Sequence, residues 1–178
     1  MPPSQVAPSC VTSGPDVAAS WASATTCLYI PAGDYQISAG VLQSGAANFT
    51  VYGDGMGLTR LHLPDNQVIS AQTFAIRLTG AYQTIRDLSI VGGANASGAQ
   101  AIQGISIYAG ASGTHIQRVD VSAIYGGTSA GGSGIDLYQP WNVSGGRQNA
   151  LIEDCSIHDG AAMTGMIVNS NGNTIRNN

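Results

Sequence analysis

The feature that most constrains this sequence is a segment that recurs about every 30 residues. Ile85-Arg86-Asp87-Leu88-Ser89-Ile90, Ile116-Gln117-Arg118-Val119-Asp120-Val121 and Ile152-Glu153-Asp154-Cys155-Ser156-Ile157 align without gaps, and Ile175-Arg176-Asn177-Asn178 begins a fourth copy. A second set runs in phase with the first: Ile76-Arg77-Leu78, Gly104-Ile105-Ser106-Ile107-Tyr108, Gly134-Ile135-Asp136-Leu137-Tyr138 and Gly165-Met166-Ile167-Val168-Asn169. The steps from Ile76 to Ile105, Ile135 and Met166 are 29, 30 and 31 residues. A period of this size means one supersecondary unit stacked on copies of itself, since no unit can bury its apolar face alone.

Each segment carries the apolar–polar–apolar alternation of a half-buried strand. In the first set one extra residue interrupts the alternation, which predicts a tight corner at Asp87, Arg118, Asp154 and Asn177. Polar side chains stacked there are expected to satisfy backbone groups freed by the bend. The unit is therefore strand, turn, strand, corner, strand, loop, with parallel stacking at about 4.8 Å. The prediction is an all-β parallel β-helix of about five coils, one domain over residues 1–178. Only 9% of residues are charged, against an average near 25%, so long solvated helices are excluded; 24 glycines suit many turns.

Val41-Leu42, Phe49-Thr50-Val51 and Leu61-His62-Leu63 fit an earlier, irregular coil, with Gly53-Asp54-Gly55-Met56-Gly57 as an enlarged corner. Residues 1–27 are expected to cap the column and 28–178 to form the coils. Pro15 to Ala24 reads as a short helix with Ser13 as N-cap, and Val17 and Trp21 share the face that covers the column. The repeat stops inside a coil at Asn178, so truncation at the C-terminal end is expected.

The net charge is −4, and the six basic residues, all Arg, form no cluster, which argues against nucleic acid. No apolar run approaches the roughly 18 residues of a membrane span. MPPSQVAPSC lacks the pattern of a signal peptide. Met1 is read as following a removed leader, which implies an extracellular or secreted protein. Cys10 and Cys27 bracket a 17-residue step and form either a disulfide or two free thiols. Cys155 occupies an apolar slot of a strand, and no Cys or His cluster suggests zinc.

Leu28-Tyr29-Ile30-Pro31-Ala32-Gly33-Asp34-Tyr35-Gln36-Ile37 resembles the strand–Pro–x–Gly–x–Tyr opening of the pectin-lyase-like right-handed β-helix superfamily. Val51-Tyr52-Gly53-Asp54-Gly55-Met56-Gly57-Leu58-Thr59-Arg60-Leu61 resembles its Gly-x-Gly-x-x-x-Thr segment. Both are frequent in pectate-lyase-3-type proteins and phage tailspikes. The resemblance implies a polysaccharide groove on the outer face of the first sheet, bordered by Val91–Gln103, Ser122–Ser133, Gln139–Asn149 and His158–Thr164. It does not fix a reaction. The Asn-Thr-Asp and Asp-Asp set, Gly-His-Gly, Trp-x-Asp-His and Arg-x-Pro-x-x-Arg are all missing, as are a Gly-x-Ser-x-Gly elbow and a phosphate loop. No cofactor is implied by the residues themselves; calcium enters by family analogy only.

Candidate chemistry lies on two outward rows of the first sheet: Arg77, Ser106, Asp136 and Ile167, then Thr79, Tyr108, Tyr138 and Asn169. Asp136, His158 and Asp159 are the catalytic candidates. Tyr108, Tyr138, Trp141, Arg147 and Asn169 are the substrate-binding candidates. A carboxylate can serve as base, tyrosine and tryptophan faces can stack on sugars, and Arg147 can pair with a uronate carboxylate. The plainer alternative is an Asp and Tyr ladder that solvates a sheet face. Arg86, Gln117, Glu153 and Arg176 form a solvated row on the second sheet, and His62 and His115 have no acidic neighbour in this register. Three functions compete: an enzyme on an acidic polysaccharide (lyase, hydrolase or epimerase), a non-catalytic glycan-binding or tailspike-like module, and a fragment that self-associates. The last two imply a trimer or a homo-oligomer through the open C-terminal end.

Overall fold

The computed structural model describes residues 10–108, 110–129, 131–138, 148–160 and 163–178. The chain begins with β1 (Val11–Thr12), α1 (Val17–Ser23), β2 (Cys27–Ile30) and β3 (Gly33–Gln36). The next coil holds β4 (Leu42–Ser44), β5 (Thr50–Gly53) and β6 (Thr59–His62). Then come β7 (Thr73–Leu78) with β8 (Thr84–Val91), and β9 (Ile102–Ile107) with β10 (His115–Ser122). The final coils contain β11 (Gly132–Leu137), β12 (Leu151–Glu153), β13 (Ser156–His158), β14 (Met163–Val168) and β15 (Thr174–Arg176).

Every strand pairing is parallel and joins one coil to the next, so the molecule is a parallel β-helix. One sheet has five strands in the order β14-β11-β9-β7-β4. The other runs β1-β2-β5-β8-β10-β12-β15, with β3, β6 and β13 paired alongside. The long strands β8 and β10 each span a corner. Before the corner β8 meets β5 at Ile85; after it, β8 meets β6 at Ile90. Inward rows follow the repeat: Leu42, Ile76, Ile105 and Ile135 on one side, Ile85, Ile116 and Ile152 on the other, all with no exposed surface. Each such side chain contributes roughly 1.5–3 kcal/mol on burial.

The predicted corners are real, and their backbone is left-handed. Asp87, Arg118, Asp154 and Asn177 have φ of 60°, 49°, 55° and 55°. Asp and Asn tolerate that conformation better than most residues. The corner side chains differ from expectation in one respect: they mainly bond one another rather than the backbone. Arg118 donates to both oxygens of Asp87 at 2.6 and 3.0 Å, and Asn177 donates to Asp154 at 3.3 Å. Stacking brings each corner side chain within reach of the one below, so the neighbouring side chain becomes the nearer partner.

The N-terminal helix covers the column through buried Val17 and Trp21, and Trp21 meets Phe49 edge-on with ring centroids 5.4 Å apart. Its N-cap is Asp16 rather than Ser13. The Asp16 carboxylate accepts from the Ala19 N–H at 2.9 Å, whereas the Ser13 hydroxyl is committed to the Gly14 carbonyl. Strand β1 lies within the segment expected to act only as cap, and it pairs with β2. Cys10 and Cys27 are joined in a disulfide, which ties that strand's start to β2.

Glycine is required at positions 104 and 134, where a side chain would meet both the next strand and a residue of the other sheet. A Cβ on Gly134 would stand 2.3 Å from Ile157 Cγ2 and 2.8 Å from the Gly165 carbonyl oxygen. One on Gly104 would stand 2.4 Å from the Gly134 carbonyl and 2.6 Å from Val121. Gly134→Ala is therefore expected to lower unfolding free energy by about 1–3 kcal/mol through overpacking. Urea denaturation checks this; an unchanged midpoint would mean that the sheets part without cost.

Candidate functional site

Parallel register sets the site. Arg77 pairs with Ser106, Ser106 with Asp136 and Asp136 with Ile167, so these four project from one face of the five-stranded sheet. The next outward row is continued by backbone bonds from Tyr108 N–H to Leu78, Tyr138 N–H to Ile107 and Asn169 N–H to Leu137. Together with Gln72 and Gln103, these residues line a groove of about 380 Å³.

Asp136 is 3% exposed although it points away from the core. Gln103 Nε2 donates to its Oδ2. Its Oδ1 is buried and has no partner among the described residues. Three more buried polar atoms on the same face share that condition: Ser106 Oγ, Ser133 Oγ and Arg77 Nε. Orphaned buried polar groups are rare, so four on one sheet face mark where a ligand or ordered water belongs. Burial pushes the Asp136 carboxyl up to about 6, against the opposing pull of the Gln103 hydrogen bond and the Arg77 charge.

Tyr108 and Tyr138 stack on each other, with centroids 5.0 Å apart and planes 24° from parallel. The Arg77 guanidinium lies 5.4 Å from the Tyr108 centroid and 3.9 Å from that of Phe74. This changes the expected sugar-stacking role. The two rings cover each other's facing surfaces, so outer surfaces, edges and hydroxyls are what a ligand can meet. The sequence shows Arg77 only as a member of the row; among the described residues it is the cation that lines the groove. The sequence shows Gln103 only as the last residue of a loop that borders the groove. The repeat starts its strand at Gly104, whereas β9 starts at Ile102.

The other catalytic candidates do not join Asp136. His158 ends β13 on the opposite sheet, and neither it nor Asp159 lines the groove. His158 instead bridges carboxylates, with Nδ1 2.6 Å from Asp159 and Nε2 3.0 Å from Asp120 on the coil before. Trp141 and Arg147 lie outside the described residues. The expectation for His62 and His115 is also corrected. His62 Nδ1 is 2.5 Å from Asp34 Oδ1, and His115 Nε2 is 2.9 Å from Glu153 Oε1. Both contacts are diagonal, two residues off the register row, so a row-by-row reading passes over them. Glu153 also accepts from Gln117 at 2.9 Å and from Arg176 Nε at 2.7 Å, so that row is a bonded network.

The groove's donor set does not fit calcium, which takes six to eight oxygens, usually with several carboxylates. Here one carboxylate stands near a guanidinium. No group of three or more His, Cys, Asp or Glu side chains converges among the described residues. No described helix is long and apolar enough to cross a membrane.

Fold and groove together define a parallel β-helix protein with a polar, partly unsatisfied cleft on its five-stranded sheet. No family model and no curated protein sequence matches the chain. Among solved structures it is similar to the A-module of the mannuronan C-5 epimerase AlgE4 of Azotobacter vinelandii, at 20% identity and a TM-score of 0.45. The likeness covers 75% of this chain and 36% of that one, so the chain spans about a third of that module's length.

Two pH responses follow. The hydrogen bonds that His158 donates to the Asp159 and Asp120 carboxylates raise it above its ordinary 6.5. Its stabilisation is therefore full below 6.5 and lost as pH rises through the raised value. In thermal melts the gap between wild type and His158→Gln should be widest near pH ~5 and close at alkaline pH. For Asp136, burial penalises only the charged form, so wild-type stability falls as pH climbs from 3.8 to about 6. Asp136→Asn should lack that fall and gain on the wild type across this window; parallel curves would show that the carboxyl is not buried in solution.

Proposed function

We propose that this β-helix is a carbohydrate-active enzyme that binds an acidic polysaccharide along the groove, with Asp136 exchanging a proton with the sugar. The observation that carries the reading is Asp136 Oδ1, a buried carboxyl oxygen without a partner among the described residues, in a groove that also holds a guanidinium. A carboxyl held near 6 is substantially ionised at neutral pH and still able to hold a proton, which suits general acid–base work.

Two-carboxylate glycoside hydrolysis needs a second acid across the scissile bond. Asp136 is the only carboxylate lining the groove among the described residues. The arrangement fits proton abstraction better. Asp136 takes the proton from the carbon beside a uronate carboxylate, and Arg77 stabilises the negative charge that develops on that carboxylate. Return of a proton to the opposite face gives an epimer; departure of the neighbouring glycosidic oxygen gives an unsaturated end. The Tyr108 and Tyr138 hydroxyls, on side chains that line the same groove, are candidates to supply that proton. The Cys10–Cys27 disulfide supports an oxidising, extracytoplasmic setting.

The test is a panel of polyuronates and neutral glycans, assayed for unsaturated ends and for deuterium uptake from heavy water. Activity should be confined to polyuronates and rise with pH through about 6. Asp136→Asn should lower kcat at least about 100-fold, and Arg77→Gln should lower it as well. Undiminished turnover in Asp136→Asn would remove Asp136 from the chemistry. Binding without any product would make the chain a glycan-binding module instead.

A further inference from the structure

The two oxygens of the Asp136 carboxyl are not equivalent. Oδ2 accepts a hydrogen bond from Gln103 Nε2, reached diagonally from the neighbouring coil. Oδ1 has no such partner among the described residues. An amide N–H can only donate, so the oxygen that faces it must accept and cannot carry a proton in that direction. Whenever Asp136 is protonated, the proton is driven to the other oxygen.

We propose that Gln103 is a positioning residue that assigns the transferable proton of Asp136 to Oδ1, the buried oxygen without a partner among the described residues. This rests on the reading of Asp136 as the acid–base group of the groove. Gln103 is 6% exposed and Asp136 3%, so water competes little for the bond. The amide is held by its strand: Gln103 pairs in register with Ser133, three residues before Asp136, and its side chain bridges that offset. Among the described residues, the charged and titratable groups that line the groove around Asp136 are Arg77 on β7 and Tyr108 and Tyr138 after β9 and β11; β14 contributes uncharged Ile167. Of these, only Arg77 joins Gln103 in favouring the carboxylate against burial. The opposite amide orientation would place the Gln103 carbonyl against Oδ2. It would then hold a proton on Oδ2 and favour the neutral acid.

The two orientations predict opposite signs. With the chain labelled at aspartate Cγ, NMR follows the Asp136 titration in wild type, Gln103→Met and Gln103→Leu. Met keeps the length of the side chain and removes the donor. Loss of a donor to the carboxylate should raise the proton affinity of Asp136 at least about 3-fold in both variants. A decrease, or no change, would overturn the assignment. Should both variants fail to fold, the wild type decides. The Gln103 side-chain amide protons should shift with the Asp136 midpoint, and an amide indifferent to that titration would overturn the proposal.

None of these measurements needs a substrate. An Asp136 that titrates as described in a protein with no turnover would sink the enzymatic reading and leave the role of Gln103 standing. Turnover retained in Gln103→Met, with no movement of the Asp136 titration, would do the reverse.

Discussion

The interaction on which everything else depends is the parallel ladder between one coil and the next. It fixes the axial step at about 4.8 Å and places residues of equal phase directly above one another. Inside, the step stacks Ile76, Ile105 and Ile135 into a column no single coil could bury. Outside, it turns each position into a row. Asp136 is thus flanked along the axis by Ser106 and Ile167, not by a second acid. That Asp136 is the single carboxylate among the described lining residues is a property of that row.

Between neighbouring coils, side chains supply contacts that the backbone ladder lacks. Arg118 grips Asp87, Arg176 bonds Glu153, and all three histidines of the sequence reach a carboxylate on an adjacent coil. These contacts are mostly half-exposed and individually modest. They run along the axis, however, and so act in the direction in which the coils would separate. The groove reverses this economy of pairing. There, buried polar atoms of Arg77, Ser106 and Asp136 are left without partners among the described residues, and the stacked coils around them absorb that cost.

The fold was legible because its signals are periodic. The alternation in Ile105-Ser106-Ile107 and the 29–31-residue step gave the strands, and the inserted residue at Asp87, Arg118 and Asp154 gave the corners. The outward row of Arg77, Ser106 and Asp136 followed by the same arithmetic. What escaped lies off the rows. Gln103 reaches Asp136 across three residues and one coil, and His62 and His115 meet their carboxylates on diagonals. A long side chain crosses such an offset easily, and nothing in the period records it. The Asp16 cap escaped because two good capping residues stand three apart, and the choice between them turns on which one the chain leaves unbonded.

The close passage at Gly104 and Gly134 bears on how such a chain can change over generations. Any coil that keeps a glycine there and apolar residues at the inward slots can be spliced between two others, because the ladder accepts one more rung of the same pitch. The scaffold is nearly indifferent to such an insertion, but the groove is not. A coil added between β9 and β11 would carry Asp136 one rung away from Gln103, Ser106 and Arg77, and no side chain in that set could span the gap. Length in this architecture is cheap to vary, and the order of neighbours along the axis is what inheritance has to protect.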